Sequence, residues 1–258
     1  MLIKAIEVGY LQTNCYVVAD EATLDAAVID PGADSNLILD YIERCHFHVR
    51  AILLTHGHFD HCMGLEEVYD ATGATVYMSH ADLTTDIGNG MFGNEDFELD
   101  PPDDTVFVRE GDVIEAGSLT FDVLETPGHT PGGISFLDVK ERIIYTGDAC
   151  NSNTLLSSGD QVKPKSGVDT LLSTAKKLIA LEPYYDRDYN GHIGYAANVT
   201  CLPMPASINH DAAALCKKIL SGEVKGEPQD APFGGNSNHA SLGAFGVRFD
   251  PEQIYEKS

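Results

Sequence analysis

The segment Thr55-His56-Gly57-His58-Phe59-Asp60-His61 decides the interpretation of this chain of 258 residues. It follows residues 51–54, a short apolar run typical of a buried strand, and it carries four side chains of the kinds that bind metals. His56 and His58 alternate in an extended segment, where a period of two points both imidazoles the same way. Asp60 and His61 begin a helix predicted over residues 60–71. We interpret the segment as the anchor of a metal centre.

The mixture of imidazole and carboxylate donors limits the identity of the metal. It suits Zn²⁺, Fe²⁺ or Mn²⁺, of which Zn²⁺ is the most common in hydrolytic enzymes. Donors spread over this segment cannot all reach one tetrahedral ion, so we expect two ions roughly 3.5–4 Å apart. The alternative is an exposed loop that is rich in histidine by chance. Four ligand-type residues at the end of one strand disfavour that alternative.

Three more donors follow strand-like segments farther along the chain. His129 lies in the turn T-P-G-H-T-P-G of residues 126–132, and His192 follows Asn190 and Gly191. Asp148 comes just after a strand, where a single carboxylate can bridge two ions. A histidine or aspartate beside a glycine is more often structural when it occurs alone. Together with the first segment, these residues predict a complete set of metal ligands.

The order of strand-like and helix-like segments predicts the fold class. Strands are indicated at residues 2–8, 15–19, 26–29, 51–54, 75–78, 106–109, 113–115, 119–125, 134–138, 143–145 and 246–249. Helices are indicated at residues 34–45, 60–71, 168–181 and 211–221. Strands in runs of two to four, separated by single helices, favour two mixed or antiparallel sheets covered by helices over one doubly wound sheet. Residues 86–104 are a predicted lid or rim loop, and residues 234–238 a second loop.

Composition limits the partners and the location of the protein. The 40 acidic and 16 basic residues give a net charge of −24, so the expected partner is a small-molecule substrate and not a nucleic acid. No apolar run approaches the roughly 20 residues that span a bilayer, and the N-terminus lacks a signal peptide's apolar stretch. Six cysteines without a C-x-x-C pair indicate reduced thiols. We expect a cytoplasmic protein with no membrane partner; the oligomeric state stays open.

The motifs together closely resemble those of the metallo-β-lactamase superfamily, and within it the glyoxalase II-like hydrolases. The family motif H-x-H-x-D-H matches residues 56–61, and the turn before the third ligand matches residues 126–132. The G-D motif stands at residues 147–148, and the last ligand follows in N-G-H. The motifs L-Q-T-N-C-Y and I-D-P-G near the N-terminus also look like the family.

This resemblance covers residues 1–195 and implies an α/β (α+β) fold, a four-layer αββα sandwich with the site at one edge. We expect one domain over residues 1–258, with its core at 1–195. The extension, 196–258, is expected to pack beside the active site.

The resemblance also assigns the ligands and implies a function. One ion takes His56, His58 and His129. The second takes Asp60, His61 and His192, and Asp148 is shared, so Asp60 and Asp148 are the implied catalytic carboxylates. The implied enzyme is a dinuclear zinc hydrolase of an ester, thioester or lactone of a small metabolite. A metal-bound bridging hydroxide is its nucleophile, and no serine or cysteine nucleophile is needed.

Two other functions remain open. A mononuclear iron dioxygenase of the persulfide-oxidising type uses the same sequence motif, and a scaffold that has lost catalysis would keep the fold. Residues 149–160 are nearly uncharged and do not match the glutathione-binding residues of glyoxalase II enzymes, so glutathione thioesters are disfavoured. Cys150, His80 and His239 are candidates for the surroundings of the site, although a structural role is favoured for each.

Overall fold

Three β-sheets of six, five and four strands form the framework of the part of the chain that the structure describes. The structure is a computed structural model, and it describes residues 1–84, 97–151, 154–155, 167–192, 202–205, 207–230, 236–251 and 254. The two larger sheets lie face to face. Tyr16 and Leu53 from the first share one buried apolar core with Phe121, Phe136 and Ile143 from the second. This core holds the strands whose ends carry the site.

The six-stranded sheet follows the order of the chain. Its strands are β1 (Leu2–Val8), β2 (Thr13–Ala19), β3 (Asp25–Ile29), β4 (His48–Leu53), β5 (Thr75–Met78) and β6 (Val106–Phe107). The first three are antiparallel and the last four are parallel. The sheet is therefore mixed, as the sequence predicts.

The five-stranded sheet is antiparallel except at one edge. Its strands are β7 (Val113–Ala116), β8 (Leu119–Glu125), β9 (Ile134–Asp138), β10 (Ile143–Gly147) and β12 (Arg187–Asn190). The short strand β11 (Thr154–Leu155), between β10 and β12 in the chain, belongs to the third sheet. β10 and β12 are parallel, so their carboxyl ends meet at the same edge of the sheet.

Helices cover the outer faces of both large sheets. Apolar residues of α1 (Ser35–Cys45) and α3 (Leu65–Thr72) pack on the six-stranded sheet, and those of α5 (Val168–Leu181) and α6 (Ile208–Leu220) pack on the five-stranded sheet. The remaining helices, α2 (Phe59–Cys62) and α4 (Ala81–Thr84), are single turns. The order of layers is helix, sheet, sheet, helix, which confirms the predicted αββα sandwich.

The prediction of one helix over residues 60–71 is wrong. The segment forms α2 and α3 with a break at Met63 and Gly64. The backbone N–H of Gly64 donates to the carbonyl of Pro31 at 2.8 Å, and a Cβ added to Gly64 would lie 2.8 Å from that same oxygen. The chain therefore breaks here because its backbone packs directly against the turn that follows β3.

The residues after 195 add α6 and three strands. With β11 these strands form the third sheet, in the order β11, β15 (Phe245–Phe249), β14 (Asn236–Leu242) and β13 (Glu227–Asp230). Side chains of α6 and β15 share one buried core with α5. The predicted loop at residues 234–238 is corrected in part, because β14 begins at Asn236 and pairs with both neighbouring strands. Residues 85–96 of the predicted lid lie outside the described residues, and the single-domain organisation stays a prediction.

Among the described helices, none has the length and apolar character needed to cross a bilayer.

A buried carboxylate joins the five-stranded sheet to α6. Asp188 on β12 accepts a hydrogen bond from Thr146 Oγ1 at 2.7 Å, and Asn209 Nδ2 of α6 lies 3.5 Å from its other oxygen. Burial raises the pKa of Asp188 to about 6, although the two hydrogen bonds oppose that shift. The folded protein therefore binds this proton more tightly than the unfolded chain does, and its stability falls as pH rises from about 4 to 6.

Asp188→Asn should raise the free energy of unfolding above about pH 7 by up to about 3 kcal/mol, because the amide removes the cost of burying a charge. The gain should shrink towards zero below about pH 4, where the wild-type carboxyl is neutral in both states. Urea unfolding of both proteins at the two pH values measures this difference. A variant that is less stable at every pH would show that the ionised carboxylate stabilises the fold.

Candidate metal centre

The segments that carry the predicted ligands converge where β4, β10 and β12 end. The backbone N–H of Ile134 donates to the carbonyl of Thr55 at 2.8 Å, which joins the end of β4 to the second sheet. Gly191 N–H donates to Gly147 O at 2.8 Å, and His192 forms a bridge to Thr13. All seven predicted ligands lie at this edge, and five of them are buried: His56, His58, His61, His129 and Asp148.

The first group of ligands is a cluster of three imidazoles. The ligand nitrogens of His56, His58 and His129 all lie within 4.8 Å of one another. His58 Nδ1 and His129 Nε2 are 2.8 Å apart, and the ring of His56 is edge-on to both other rings. α5 supports the turn of His129, since Thr174 Oγ1 donates to Pro127 O at 2.6 Å. Nitrogen atoms that converge in this way can hold one cation.

The second group combines a carboxylate with two imidazoles. Ligand atoms of Asp60, His61 and His192 also lie within 4.8 Å of one another. His192 Nε2 is 3.3 Å from His61 Nε2 and 3.3 Å from Asp60 Oδ2. His192 Nδ1 donates to the carbonyl of Leu11 at 3.2 Å, which directs Nε2 towards the group. These atoms can hold a second cation.

Asp148 lies between the two groups. Its Oδ2 atom is 3.5 Å from His129 Nε2 in the first group and 3.3 Å from His192 Nε2 in the second. Its Oδ1 atom is buried and, like His56 Nε2, has no hydrogen-bond partner within the described ranges. Buried acceptor atoms left in this state are costly unless a cation satisfies them. The residues therefore fit a pair of metal ions with a shared carboxylate.

The charges of the site favour cation binding. Burial would raise the pKa of Asp148, but His192, His61 and His129 hold it well below its usual value, so the carboxylate is ionised. Burial and the neighbouring imidazoles lower the pKa of His56 well below its usual value. A neutral imidazole is the form that binds metals. The site thus presents anionic carboxylates and one neutral ring. Burial would lower the pKa of His192, but Asp148 and Asp60 raise it well above its usual value, so a metal ion must displace a proton there.

Asp30 orients one imidazole of each group. Its Oδ2 atom accepts hydrogen bonds from His61 Nδ1 at 2.9 Å and from Thr55 Oγ1 at 2.6 Å. Thr55 Oγ1 in turn lies 3.1 Å from His56 Nδ1. With both Nδ1 atoms donating, the Nε2 atoms of His56 and His61 carry the lone pairs that face a metal. The sequence shows Asp30 only as part of a turn motif and gives no hint of this role.

Asp82 ties together the two loops of the first group, although sequence reasoning missed it. It lies on α4 and accepts hydrogen bonds from Gly57 N at 3.0 Å, Thr130 Oγ1 at 3.0 Å and Gly132 N at 2.6 Å. Gly57 separates His56 from His58, and Thr130 follows His129. Asp82 therefore fixes the distance between the loops, and no spacing in the sequence links residue 82 to either of them.

The start of β2 supports the second group. Thr13 Oγ1 donates to Asp60 Oδ2 at 3.0 Å, and Asn14 Nδ2 donates to Asn190 O at 3.1 Å. Tyr16 donates its hydroxyl hydrogen to the same Asn190 carbonyl. Gly191 is required beside them, since an added Cβ would lie 2.2 Å from Asp148 Oδ1. The motif L-Q-T-N-C-Y therefore positions the loop that carries His192.

The other candidate neighbours of the site have structural contacts. Cys150 lies in the apolar core under α5 and α6, where burial raises the pKa of its thiol well above the usual value. His80 packs edge-on against Phe107, and His239 pairs across the third sheet with Arg248. These contacts agree with the structural roles favoured from the sequence.

Residues 8–185 match the family model described as the metallo-beta-lactamase superfamily. The chain belongs to this superfamily. A protein of Aquifex aeolicus is 36% identical over 180 residues, which cover 67% of this chain and 84% of that protein. "Hydroxyacylglutathione hydrolase GloC" of Haemophilus influenzae is 29% identical over 187 residues, with 70% and 86% covered. The family and these relatives support the predicted enzyme class, a metal-dependent hydrolase.

Three solved structures share this fold at 25–28% sequence identity. The B3 metallo-beta-lactamase BLEG-1 is 27% identical with a TM-score of 0.62, covering 75% of this chain and 92% of its own. ETHE1 from Myxococcus xanthus is 25% identical with a TM-score of 0.61, covering 83% and 85%. TTHA1623 in a di-iron-bound form is 28% identical with a TM-score of 0.59, covering 74% and 92%. One of these structures therefore holds two iron ions in this fold.

Asp30→Asn should weaken metal binding by about 10–100-fold, the range found for groups that orient a ligand. The amide replaces one of the two acceptor oxygens with a donor, so Thr55 and His61 can no longer both keep their hydrogen bonds. Titration of the metal-free protein with Zn²⁺ against a competing chelator measures this. Asp138→Asn is the matched control, since Asp138 is also buried but lies at the opposite end of β9. Equal zinc affinity in wild type and Asp30→Asn would contradict the orienting role.

Proposed function

We propose that this protein uses two zinc ions to hydrolyse an ester, thioester or lactone of a small metabolite. The observation that carries the proposal is the position of Asp148, whose carboxylate contacts imidazoles of both ligand groups. Two groups of three donors and a shared carboxylate exceed what one tetrahedral ion takes. A dinuclear centre accommodates all of them.

The protein's own residues have separable roles in this reaction. Bound zinc ions supply Lewis acidity and lower the pKa of a coordinated water to about 7. Thr13 fixes the orientation of Asp60 through its hydroxyl, and Asp30 fixes that of His61. Burial raises the pKa of Cys62 and Cys150 well above the usual value, so neither thiol offers a thiolate nucleophile. This supports metal-assisted hydrolysis over a covalent thiol mechanism.

The printed names of two relatives support hydrolysis, and one of them supports an acyl substrate. One relative is called a hydroxyacylglutathione hydrolase and another, from Bacillus subtilis, a probable metallo-hydrolase. The nearly uncharged residues 149–160, in which Asp160 is the one charged residue, disfavour glutathione itself, and the net charge of −24 supports a small molecule over a nucleic acid. Free thiols, among them buried Cys15 and Cys216, support a reducing compartment such as the cytoplasm.

A second candidate is the mononuclear iron dioxygenase, and the di-iron-bound form of TTHA1623, which is 28% identical, supports iron as the metal. Metal analysis of the purified protein separates the two functions. About two zinc ions per chain, with hydrolysis of a thioester or lactone, support the proposal. One iron with uptake of O₂ supports the dioxygenase. Two zinc ions without hydrolysis of any acyl compound would contradict the proposed reaction and leave a non-catalytic scaffold.

Asp60→Ala should remove one of the two ions and lower kcat/KM by more than about 100-fold, beyond the range for groups that only support a ligand. Far-ultraviolet circular dichroism should remain unchanged. Asp70→Ala, at an exposed position on α3, is the control and should keep both ions and full activity. Full activity in Asp60→Ala would contradict the assignment of Asp60 as a metal ligand.

A further inference from the structure

We propose that the residues after 195 help to build the metal centre, because α6 holds Asp188 and Asp188 holds the turn that carries Asp148. Asp188 and Thr146 are then positioning residues for the shared carboxylate, and Asn209 is the residue of α6 that connects the extension to them. The inference rests on the proposed function only in requiring a zinc centre. It is independent of which acyl compound is hydrolysed.

The turn that carries Asp148 begins at Thr146. The backbone N–H of Ala149 donates to the carbonyl of Thr146 at 3.1 Å, which closes a tight turn with Gly147 and Asp148 at its centre. Gly147 has a φ of 51°, and a Cβ added to it would lie 2.3 Å from Thr55 Oγ1. The turn is therefore packed against the end of β4, and the position of Thr146 determines where the Asp148 carboxylate lies.

Thr146 is the extra residue of a β-bulge. The pairing of β10 with β12 advances by two residues on β10, from Tyr145 to Gly147, and by only one residue on β12. An extra residue of this kind lies outside the regular ladder of backbone hydrogen bonds. The contacts of the Thr146 side chain therefore decide how this part of β10 lies on β12.

The side chain of Thr146 is held by Asp188. Both residues are buried, and Thr146 Oγ1 donates to Asp188 Oδ1 at 2.7 Å. A hydrogen bond to an ionised acceptor is stronger than one between neutral groups. Asp188 lies on β12, four residues before His192. This one bond therefore connects the turn of Asp148 to the strand that leads to His192.

The extension contacts Asp188 from the other side. The backbone N–H of Met204 donates to the carbonyl of Asp188 at 2.7 Å, and Asn209 Nδ2 lies 3.5 Å from Asp188 Oδ2. Asn209 Nδ2 also donates to the Tyr185 hydroxyl at 3.1 Å, and that hydroxyl donates to Leu178 O at 2.9 Å. Residues after 195 thus contact both the backbone and the carboxylate of Asp188.

The burial of a carboxylate at this position points to a functional role. Its cross-strand neighbour Ile144 is apolar and shares one buried core with residues of α5 and α6. An apolar residue in place of Asp188 would extend that core, whereas the carboxylate has no charged partner within the described ranges. Proteins break such local rules mainly at functional sites. The bond to Thr146 supplies a function for the carboxylate.

The first test is a double-mutant cycle that is read by zinc affinity. Thr146→Val and Asp188→Leu each remove the hydrogen bond at similar side-chain volume, and each should weaken zinc binding about tenfold, the lower end of the range for groups that support a ligand. The double variant should also lose about tenfold, and not about a hundredfold, because both changes break the same contact. Titration of each metal-free protein with Zn²⁺ against a competing chelator measures the dissociation constants.

Conservative variants separate positioning from the burial of a charge. Thr146→Ser keeps the hydroxyl and Asp188→Asn keeps an acceptor oxygen, so both should bind zinc within about threefold of the wild-type affinity. Thr72→Val is the matched control, since Thr72 Oγ1 donates to Val68 O at 2.6 Å on α3. Unchanged affinity in both single variants, additive losses in the double variant, or an equal loss in Thr146→Ser would overturn the positioning role. Thr146→Ala serves if the valine variant fails to fold.

The contribution of α6 needs its own variant. Asn209→Leu should weaken zinc binding about threefold, because Asp188 loses a donor, and Asn209→Ala serves if the leucine variant fails to fold. Lys217→Ala, at an exposed position on the same helix, should leave the zinc affinity unchanged. Equal zinc affinity in the Asn209 and Lys217 variants would overturn the role of the extension.

These measurements do not depend on turnover. The expected changes in zinc affinity without hydrolysis of any acyl compound would refute the proposed reaction and keep the positioning role of Asp188. Hydrolysis by a two-zinc protein whose zinc affinity is the same in every variant would keep the reaction and overturn the inference.

Discussion

The site depends on the burial of the Asp148 carboxylate among imidazoles. An ionised carboxylate in a protein interior is costly unless cations or hydrogen bonds compensate it. Here the compensation comes from His61 of α2 and from His129 and His192 of two separate loops. The two sheets bring those loops together, and the turn residues keep them close, since Gly147 and Gly191 leave no room for a side chain. The backbone geometry of these loops therefore keeps the imidazoles close to the Asp148 carboxylate.

The seven candidate ligands could be recognised in the sequence because they lie in short motifs after strands, and the structure brings them to one edge of the sheets. His56, His58, Asp60 and His61 lie within six consecutive positions. His129, Asp148 and His192 each follow a glycine. The αββα layers followed from the resemblance and from strand order. Asp82 could not be predicted, because its role depends on α4 packing between two loops that are remote in sequence. Likewise, β14 forms where composition suggests a loop, since pairing with β13 and β15 overrides local preference.

The hydrogen bonds that support the candidate ligands form two systems, one that orients imidazole rings and one that fixes loop backbones. Asp30 connects His61 to His56 through Thr55, so one carboxylate governs a nitrogen in each ligand group. Asp82 acts on backbone N–H groups and a hydroxyl and fixes loops, not rings. Ring orientation and loop separation are thus set by different residues. A substitution at Asp30 would therefore affect the orientation of the imidazole rings, and a substitution at Asp82 would affect the distance between the loops.

The pairing of β15 with β11 has a consequence for synthesis of the chain. Thr154 follows the segment of Asp148, yet its partner Val247 leaves the ribosome only after both large sheets have been made. Until then the apolar face of α5 has neither α6 nor β15 to cover it. A nascent chain at that stage presents an unpaired strand and an exposed helix face, both of which chaperones recognise. β15 and α6 therefore cover α5 last, and α5 is the helix whose Thr174 supports the turn of His129.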